Sequence, residues 1–157
     1  MRAFCFSVAA AISMCASAAA QTADCTYDLS AMMGLEYEAF DSTPQEGWRI
    51  VGDRPGCEAQ AADLIARYRS EKIDQQRRSL MHHEAQLRAA SGQIEAAIAL
   101  IEQVRAMQTA PEMIAYHDAE IAFLRRDLPA LTAARDRLMA VPPPPGSSPS
   151  TCHGSSA

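Results

Sequence analysis

Between residues 57 and 140 the chain consists almost entirely of strong helix formers, which leaves few folds open to it. Ala, Leu, Ile, Arg, Gln and Glu dominate this run, and its only breaks are Gly92, Pro111 and Pro129. Residues that favour strands, the β-branched and aromatic ones, are few. The composition therefore predicts an all-α domain and argues against a strand-based fold.

The breaks divide the run into five predicted helices, near residues 57–70, 73–91, 93–107, 112–126 and 128–140. In the third helix apolar residues recur every three or four positions and form one stripe for burial: Ile94, Ala97, Ile98, Ile101 and Val104. Gly92 suits the turn that ends the second helix. Pro111 and Pro129 suit first-turn positions, where the missing N–H is not needed.

The first twenty residues have the pattern of a secretory signal. Arg2 is the only charge in residues 1–23, an apolar run follows it, and small residues lead to a preferred cleavage point after Ala20 or, alternatively, Ala18. A membrane anchor is the other interpretation, but a span needs about twenty apolar residues. We therefore predict a signal peptide over residues 1–20 and an exported protein, periplasmic or secreted, with no membrane span after cleavage.

Cleavage would remove two of the five cysteines and leave Cys25, Cys57 and Cys152. In an oxidising compartment we expect Cys25 and Cys57 to form a disulfide, because both lie in the folded part of the chain. Two reduced thiols buried as small apolar residues are the alternative. Cys152 lies in the Pro-, Ser- and Gly-rich residues 141–157, which we predict to be a disordered tail.

Residues 21–56 are less regular and predict an irregular N-terminal cap on the helices of residues 57–140. Apolar residues suited to packing alternate there with turn-forming ones, among them Asp41 and Gly47. Trp48, the only tryptophan, is interpreted as a core anchor rather than a ligand platform. Together with Ile50 and Val51 it indicates a short helix.

A 34-residue offset relates residues 83–111 to residues 117–145. It aligns His83 with His117, Ala85 with Ala119, Leu87 with Ile121, Ile94 with Leu128 and Pro111 with Pro145. Helix, turn, helix and closing proline match as well. A 34-residue period with two helices per unit is that of the tetratricopeptide repeat.

On these residues the chain resembles the tetratricopeptide repeat family. Gly92 falls on the turn between paired helices, and Ala85 and Ala97 fall on the family's small positions. The second copy departs from the pattern with Arg126, Leu131 and Arg135. The resemblance implies a right-handed stack of two to three helical hairpins in residues 57–140, and generic antiparallel hairpins are the alternative.

The resemblance also implies a concave surface lined by the first helix of each pair. We expect the partner-binding residues there to be His82, Gln86, Met113, Tyr116, Glu120 and Phe123. The lysines that clamp a terminal carboxylate in chaperone-binding members are missing, because the only lysine is Lys72. The surface suits an apolar or helical segment of a protein or peptide partner, although burial against a neighbouring helix is the alternative.

Signals for chemistry are weak in this sequence. His83-Glu84 and His117-Asp118 occupy equivalent repeat positions, which would permit a shared metal, but the zinc-protease helix motif fails at Leu87 and Ile121. We therefore interpret these histidines as solvent-facing or as hydrogen-bonded between helices. No glycine-framed nucleophile or phosphate loop occurs. With 14 basic against 19 acidic residues, the charge gives no footprint for nucleic acid.

We therefore predict an exported, non-catalytic interaction module without a metal or other cofactor. The alternative is a metal-binding or hydrolytic helical protein that uses His82, His83, His117 and adjacent carboxylates.

Overall fold

The computed structural model describes residues 23–72 and 77–142. All regular secondary structure in these two ranges is helical, which confirms the predicted all-α class. None of the helices described is both long and apolar enough to cross a membrane. The predicted signal peptide, residues 1–20, and all but the first two residues of the predicted tail, 141–157, lie outside the described residues.

Seven α-helices and one π-helical turn follow one another along the described chain. The N-terminal cap contains α1 (Leu29–Gly34), the π-helical turn (Glu38–Ser42) and α2 (Arg49–Gly52). The longer helices are α3 (Glu58–Glu71), α4 (Arg77–Ala90), α5 (Ile94–Ala106), α6 (Pro111–Leu124) and α7 (Leu128–Met139). These five match the predicted ones, with Pro111 and Pro129 in first turns as expected.

From α2 onwards, each helix packs against the next one along the chain. The buried apolar residues form two clusters, and α4 contributes to both. The N-terminal cluster contains Met32, Phe40, Val51, Cys57, Ala61, Ala62, Leu64, Ile65, Tyr68, Leu80 and Leu87. The C-terminal cluster contains Ala85, Ile98, Ile101 and Ile121. Helix α4 is therefore the element through which the cap is joined to the C-terminal helices.

The cap is joined to α3 by a ring stack and by a disulfide. The rings of Phe40 and Tyr68 are nearly parallel with centroids 3.7 Å apart, and the Tyr68 hydroxyl donates to the Leu35 carbonyl at 2.8 Å. The sulfur atoms of Cys25 and Cys57 are at disulfide distance, as predicted. Trp48 packs against the same cluster, in agreement with its interpretation as a core anchor.

The turns of the hairpins α4–α5 and α6–α7 have the same backbone geometry. Gly92 and Arg126, 34 positions apart, both have a left-handed backbone with φ of 82° and 57°. Equivalent bonds close each turn: Gln93 N to Arg88 O and Gly92 N to Ala89 O in the first, Asp127 N to Ala122 O and Arg126 N to Phe123 O in the second. This is the Schellman pattern of a helix C-terminus.

A similar ion pair joins the first helix of each of these hairpins to the helix before it. Glu84 of α4 accepts from Arg69 of α3 at 2.8 Å, and Asp118 of α6 accepts from Arg105 of α5. The 34-residue offset thus relates the turns and the acidic partners Glu84 and Asp118, whereas the arginines that they bind lie 36 positions apart. Membership of the tetratricopeptide family and the right-handed stack stay predictions.

Replacement of Arg126 by glycine should stabilise the domain. A side chain with a left-handed backbone costs about 1 kcal/mol, which Arg126→Gly removes. Gly92→Ala should destabilise the domain by a similar amount, because alanine would have to adopt the same left-handed backbone. A steric clash does not add to this cost, since a Cβ at position 92 meets no atom within 4 Å. Urea unfolding measures both changes, and Arg125→Gly is the matched control: its backbone is right-handed, so glycine should lower stability. Equal effects of glycine at 125 and 126 would contradict the assignment.

Loss of the disulfide should lower stability by about 3–4 kcal/mol, because the bond closes a long loop in the unfolded chain. Cys25→Ser is the better variant, since Cys57 is fully buried and a hydroxyl there adds its own penalty. Thermal melts under oxidising and reducing conditions test the effect. Cys152→Ser should leave the melting temperature unchanged. A Cys25→Ser protein that melts with the parent under oxidising conditions would show the bond to be unimportant.

Candidate functional site

Two adjacent histidines of α4 reach different parts of the molecule. Successive side chains on an α-helix point about 100° apart, so His82 and His83 have different neighbours. His83 contacts Asp41 of the cap, and His82 contacts Glu120 of α6. Each histidine thus belongs to a separate cluster with a carboxylate at its centre.

The Asp41 cluster holds a buried carboxylate by four side-chain hydrogen bonds. Its Oδ1 accepts from His83 Nδ1 at 2.8 Å and from Trp48 Nε1 at 3.1 Å. Its Oδ2 accepts from the hydroxyl of Tyr37 at 2.9 Å and from that of Ser79 at 3.0 Å. Two of these four donors belong to α4 and two to the cap. The cluster therefore fastens the cap to α4.

The electrostatics of Asp41 favour its ionised form. Burial raises the pKa of the carboxyl group, but the hydrogen bonds from His83, Trp48 and Tyr37 and the charge of His83 outweigh it, so the pKa lies well below the ordinary value. The Arg49 guanidinium donates to the Asp41 backbone carbonyl and lies 4.2 Å from the centroid of the Trp48 ring. Fully bonded in this way, Asp41 has a structural role.

The Glu120 cluster joins α4 to α6. Glu120 accepts from His82 Nε2 at 2.9 Å through Oε1, and from His117 Nδ1 at 2.8 Å through Oε2. The two imidazole rings meet edge to face with centroids 5.1 Å apart. The ring of Tyr116 lies 6.0 Å from that of His82 and 5.3 Å from that of His117, and so forms one wall of the cluster.

The Glu120 cluster is buried on one side and open on the other. The side chain of His117 is 1% exposed, whereas those of His82 and Glu120 are 20% and 19% exposed. Burial raises the pKa of Glu120, but hydrogen bonds and charge from the two histidines lower it more, and the net pKa is lowered. Burial and the Glu120 charge raise the pKa of Tyr116. The lowered pKa of Glu120 favours its carboxylate form.

The sequence prediction placed several of these residues on one surface, and three of them meet in the structure. His82, Tyr116 and Glu120 lie together, and Gln86 is exposed one turn further along α4. Met113 and Phe123 are exposed on α6. Partner binding by these residues stays a prediction.

The pairing of His83 with His117 that would have permitted a shared metal does not occur, and the hydrogen bond from His82 to Glu120 of α6 agrees with the interpretation favoured from the sequence. His82, not His83, lies beside His117, because the rotation of α4 directs His83 to Asp41. The carboxylates adjacent in sequence are not in the cluster either: Glu84 and Asp118 form ion pairs with arginines. Glu120 takes their place, three residues after His117 on the same face of α6.

Sequence reasoning missed the role of Asp41, which it treated only as a turn residue. Its partners Ser79 and His83 lie 38 and 42 positions away, and local sequence patterns do not predict contacts over such separations. Gln108 was missed as well. Its amide Nε2 lies 3.3 Å from His117 Nε2, the ring nitrogen that does not contact Glu120.

Comparison with protein families, with curated proteins and with solved structures found no match.

Replacement of Asp41 by asparagine should destabilise the domain and reduce its sensitivity to acid. An amide keeps the shape of the side chain, but its NH₂ group would face hydrogen-bond donors and leave them without an acceptor. We expect a cost of roughly 2–3 kcal/mol. Because the folded pKa of Asp41 is lowered, its contribution is complete above the unfolded pKa, about 4, and is lost as the pH falls towards the folded value. The variant should therefore lose less stability than the parent between pH 5 and pH 2, as urea unfolding at each pH will measure.

The matched control for this experiment is Asp136→Asn, which changes an exposed aspartate paired with Arg135. It should alter the stability by less than about 0.5 kcal/mol at any pH. Parent-like acid sensitivity of Asp41→Asn would refute the assignment.

Proposed function

We propose that the chain is an exported, non-catalytic interaction module that binds an apolar segment of another protein along α6. The observation that carries the proposal is a stripe of exposed apolar side chains on this helix. Met113, Tyr116 and Phe123 are 38%, 38% and 68% exposed in the described structure. We call these three residues the α6 stripe.

The spacing of the α6 stripe supports a single binding surface. At 100° per residue, positions 113, 116 and 123 fall within an arc of about 80° around the helix axis. Glu120 falls within the same arc, and its hydrogen bond to His82 brings α4 alongside. An exposed apolar row that includes one hydrogen-bonded carboxylate suits a surface that receives an amphipathic helix.

Burial of these side chains against a neighbouring helix is the alternative interpretation of the sequence. Within the described ranges all three remain exposed, which favours an external partner. Burial of a phenylalanine or methionine side chain contributes about 1.5–3 kcal/mol, so contact with a partner offers a substantial gain.

Export is supported by two independent features. Residues 1–20 have the sequence pattern of a secretory signal. The disulfide-distance pair Cys25 and Cys57 suits an oxidising compartment, where such bonds persist. We therefore propose that the partner is a protein of the periplasm or of the cell exterior.

The proposal predicts that Phe123→Ser weakens partner binding by at least tenfold. Crosslinking of the chain in its native envelope, followed by mass spectrometry, would identify the partner segment. Its affinity for purified variants would then be measured by calorimetry. Loss of one central aromatic contact costs about 2 kcal/mol, or roughly thirtyfold in affinity.

Met139→Ser is the matched control, because Met139 is also an exposed apolar residue but lies on α7. It should bind the segment as tightly as the parent. Equal affinities for Phe123→Ser, Met139→Ser and the parent would refute binding at the α6 stripe.

A further inference from the structure

The Glu120 cluster brings three side chains with metal-binding atoms to one point. One ligand atom from each of His82, His117 and Glu120 lies within 4.8 Å of the other two. The residues come from two helices: His82 from α4, and His117 and Glu120 from one face of α6. Hydrogen bonds from both histidines to Glu120 already hold the three side chains together, so the site is largely formed before any ion enters it.

The distances suit a small divalent ion. Four ligands at the 2.0–2.1 Å typical of zinc bonds to nitrogen and oxygen stand about 3.3 Å from one another in a tetrahedron. The hydrogen-bonded distances from Glu120 to His82 and His117 are 2.9 and 2.8 Å. An outward shift of about 0.5 Å brings both of these distances to the tetrahedral value. The ligand atoms of the two histidines, which lie within 4.8 Å of one another, complete the triangle.

The ligand types select the class of metal. Two imidazoles and one carboxylate form a ligand set found at zinc sites that keep a fourth position open. Imidazole also suits copper and nickel, whereas calcium and magnesium prefer sites made of oxygen atoms. We propose that His82, His117 and Glu120 bind one zinc-type divalent ion that links α4 to α6.

The surrounding groups suit this role. The hydrogen bonds to Glu120 place a proton on the facing nitrogen of each imidazole, and on metal binding that proton leaves or moves to the other ring nitrogen. For His117 the other nitrogen, Nε2, faces the side-chain amide of Gln108. Once Nε2 carries the proton, the amide oxygen accepts a hydrogen bond from it after the amide rotates. Glu120 and His82 are each about one-fifth exposed, so the open fourth position faces solvent.

The proposed metal site can be tested separately from partner binding, although the two surfaces overlap at Glu120. Glu120 falls within the arc of that stripe, and the ring of Tyr116 lies 5.3 Å from His117. Failure of one proposal leaves the other standing, because metal binding is measured without a partner and Phe123 is not a ligand.

The test is zinc titration of the full mature chain, prepared without an affinity tag, stripped by a chelator and carrying Cys152→Ser to remove the thiol of the tail. Calorimetry should give one Zn²⁺ per chain with a micromolar or lower Kd, and excess Zn²⁺ should raise the melting temperature. Glu120→Gln keeps the shape of the side chain but removes its charge, and it should weaken binding at least tenfold. It should also abolish the thermal shift.

Two further variants keep the test decisive. Asp118→Asn is the matched control, since this carboxylate of α6 pairs with arginines, and it should bind Zn²⁺ like the parent. His82→Ala, at a partly exposed position, replaces Glu120→Gln if that variant does not fold, and should weaken binding likewise. A parent Kd above 1 mM, or parent-like binding by folded Glu120→Gln or His82→Ala, would overturn the proposal.

Discussion

The hydrogen-bonded burial of the Asp41 carboxylate is the interaction on which the arrangement of the domain depends. An isolated carboxylate in a protein interior costs several kcal/mol. Here four side-chain donors compensate it, and they come from the cap and from α4. Since removal of any one donor leaves part of the charge uncompensated, the π-helical turn, Trp48 and α4 have to be ordered together.

Fixation of α4 by Asp41 also sets the direction in which His82 points. The two histidines are neighbours in sequence, so a hydrogen bond that fixes the rotation of His83 fixes that of His82 as well. Helix α4 contributes apolar residues to both buried clusters, which limits its rotation further. The geometry of the Glu120 cluster is thus a consequence of contacts made on a different face of the helix.

The sequence predicted the parts of the fold that depend on local chemistry. Pro111 and Pro129 marked helix starts because proline fits a first turn, and Gly92 marked a turn because glycine accepts a left-handed backbone. The offset of 34 pointed to the same turn at Arg126, although its residue type did not. The partners of His82 and His83 could not be predicted, since they depend on the rotation of α4 and on a cap more than 35 residues away.

Glu120 is a charged residue within the arc of the α6 stripe, but its charge does not prevent an apolar partner from binding there. A partner that covers an unpaired carboxylate leaves a buried charge uncompensated, which weakens binding. Glu120 already accepts hydrogen bonds from His82 and His117, so a partner can cover it without supplying donors of its own. An apolar segment can therefore lie across the edge of this cluster, because the chain has satisfied the charge internally.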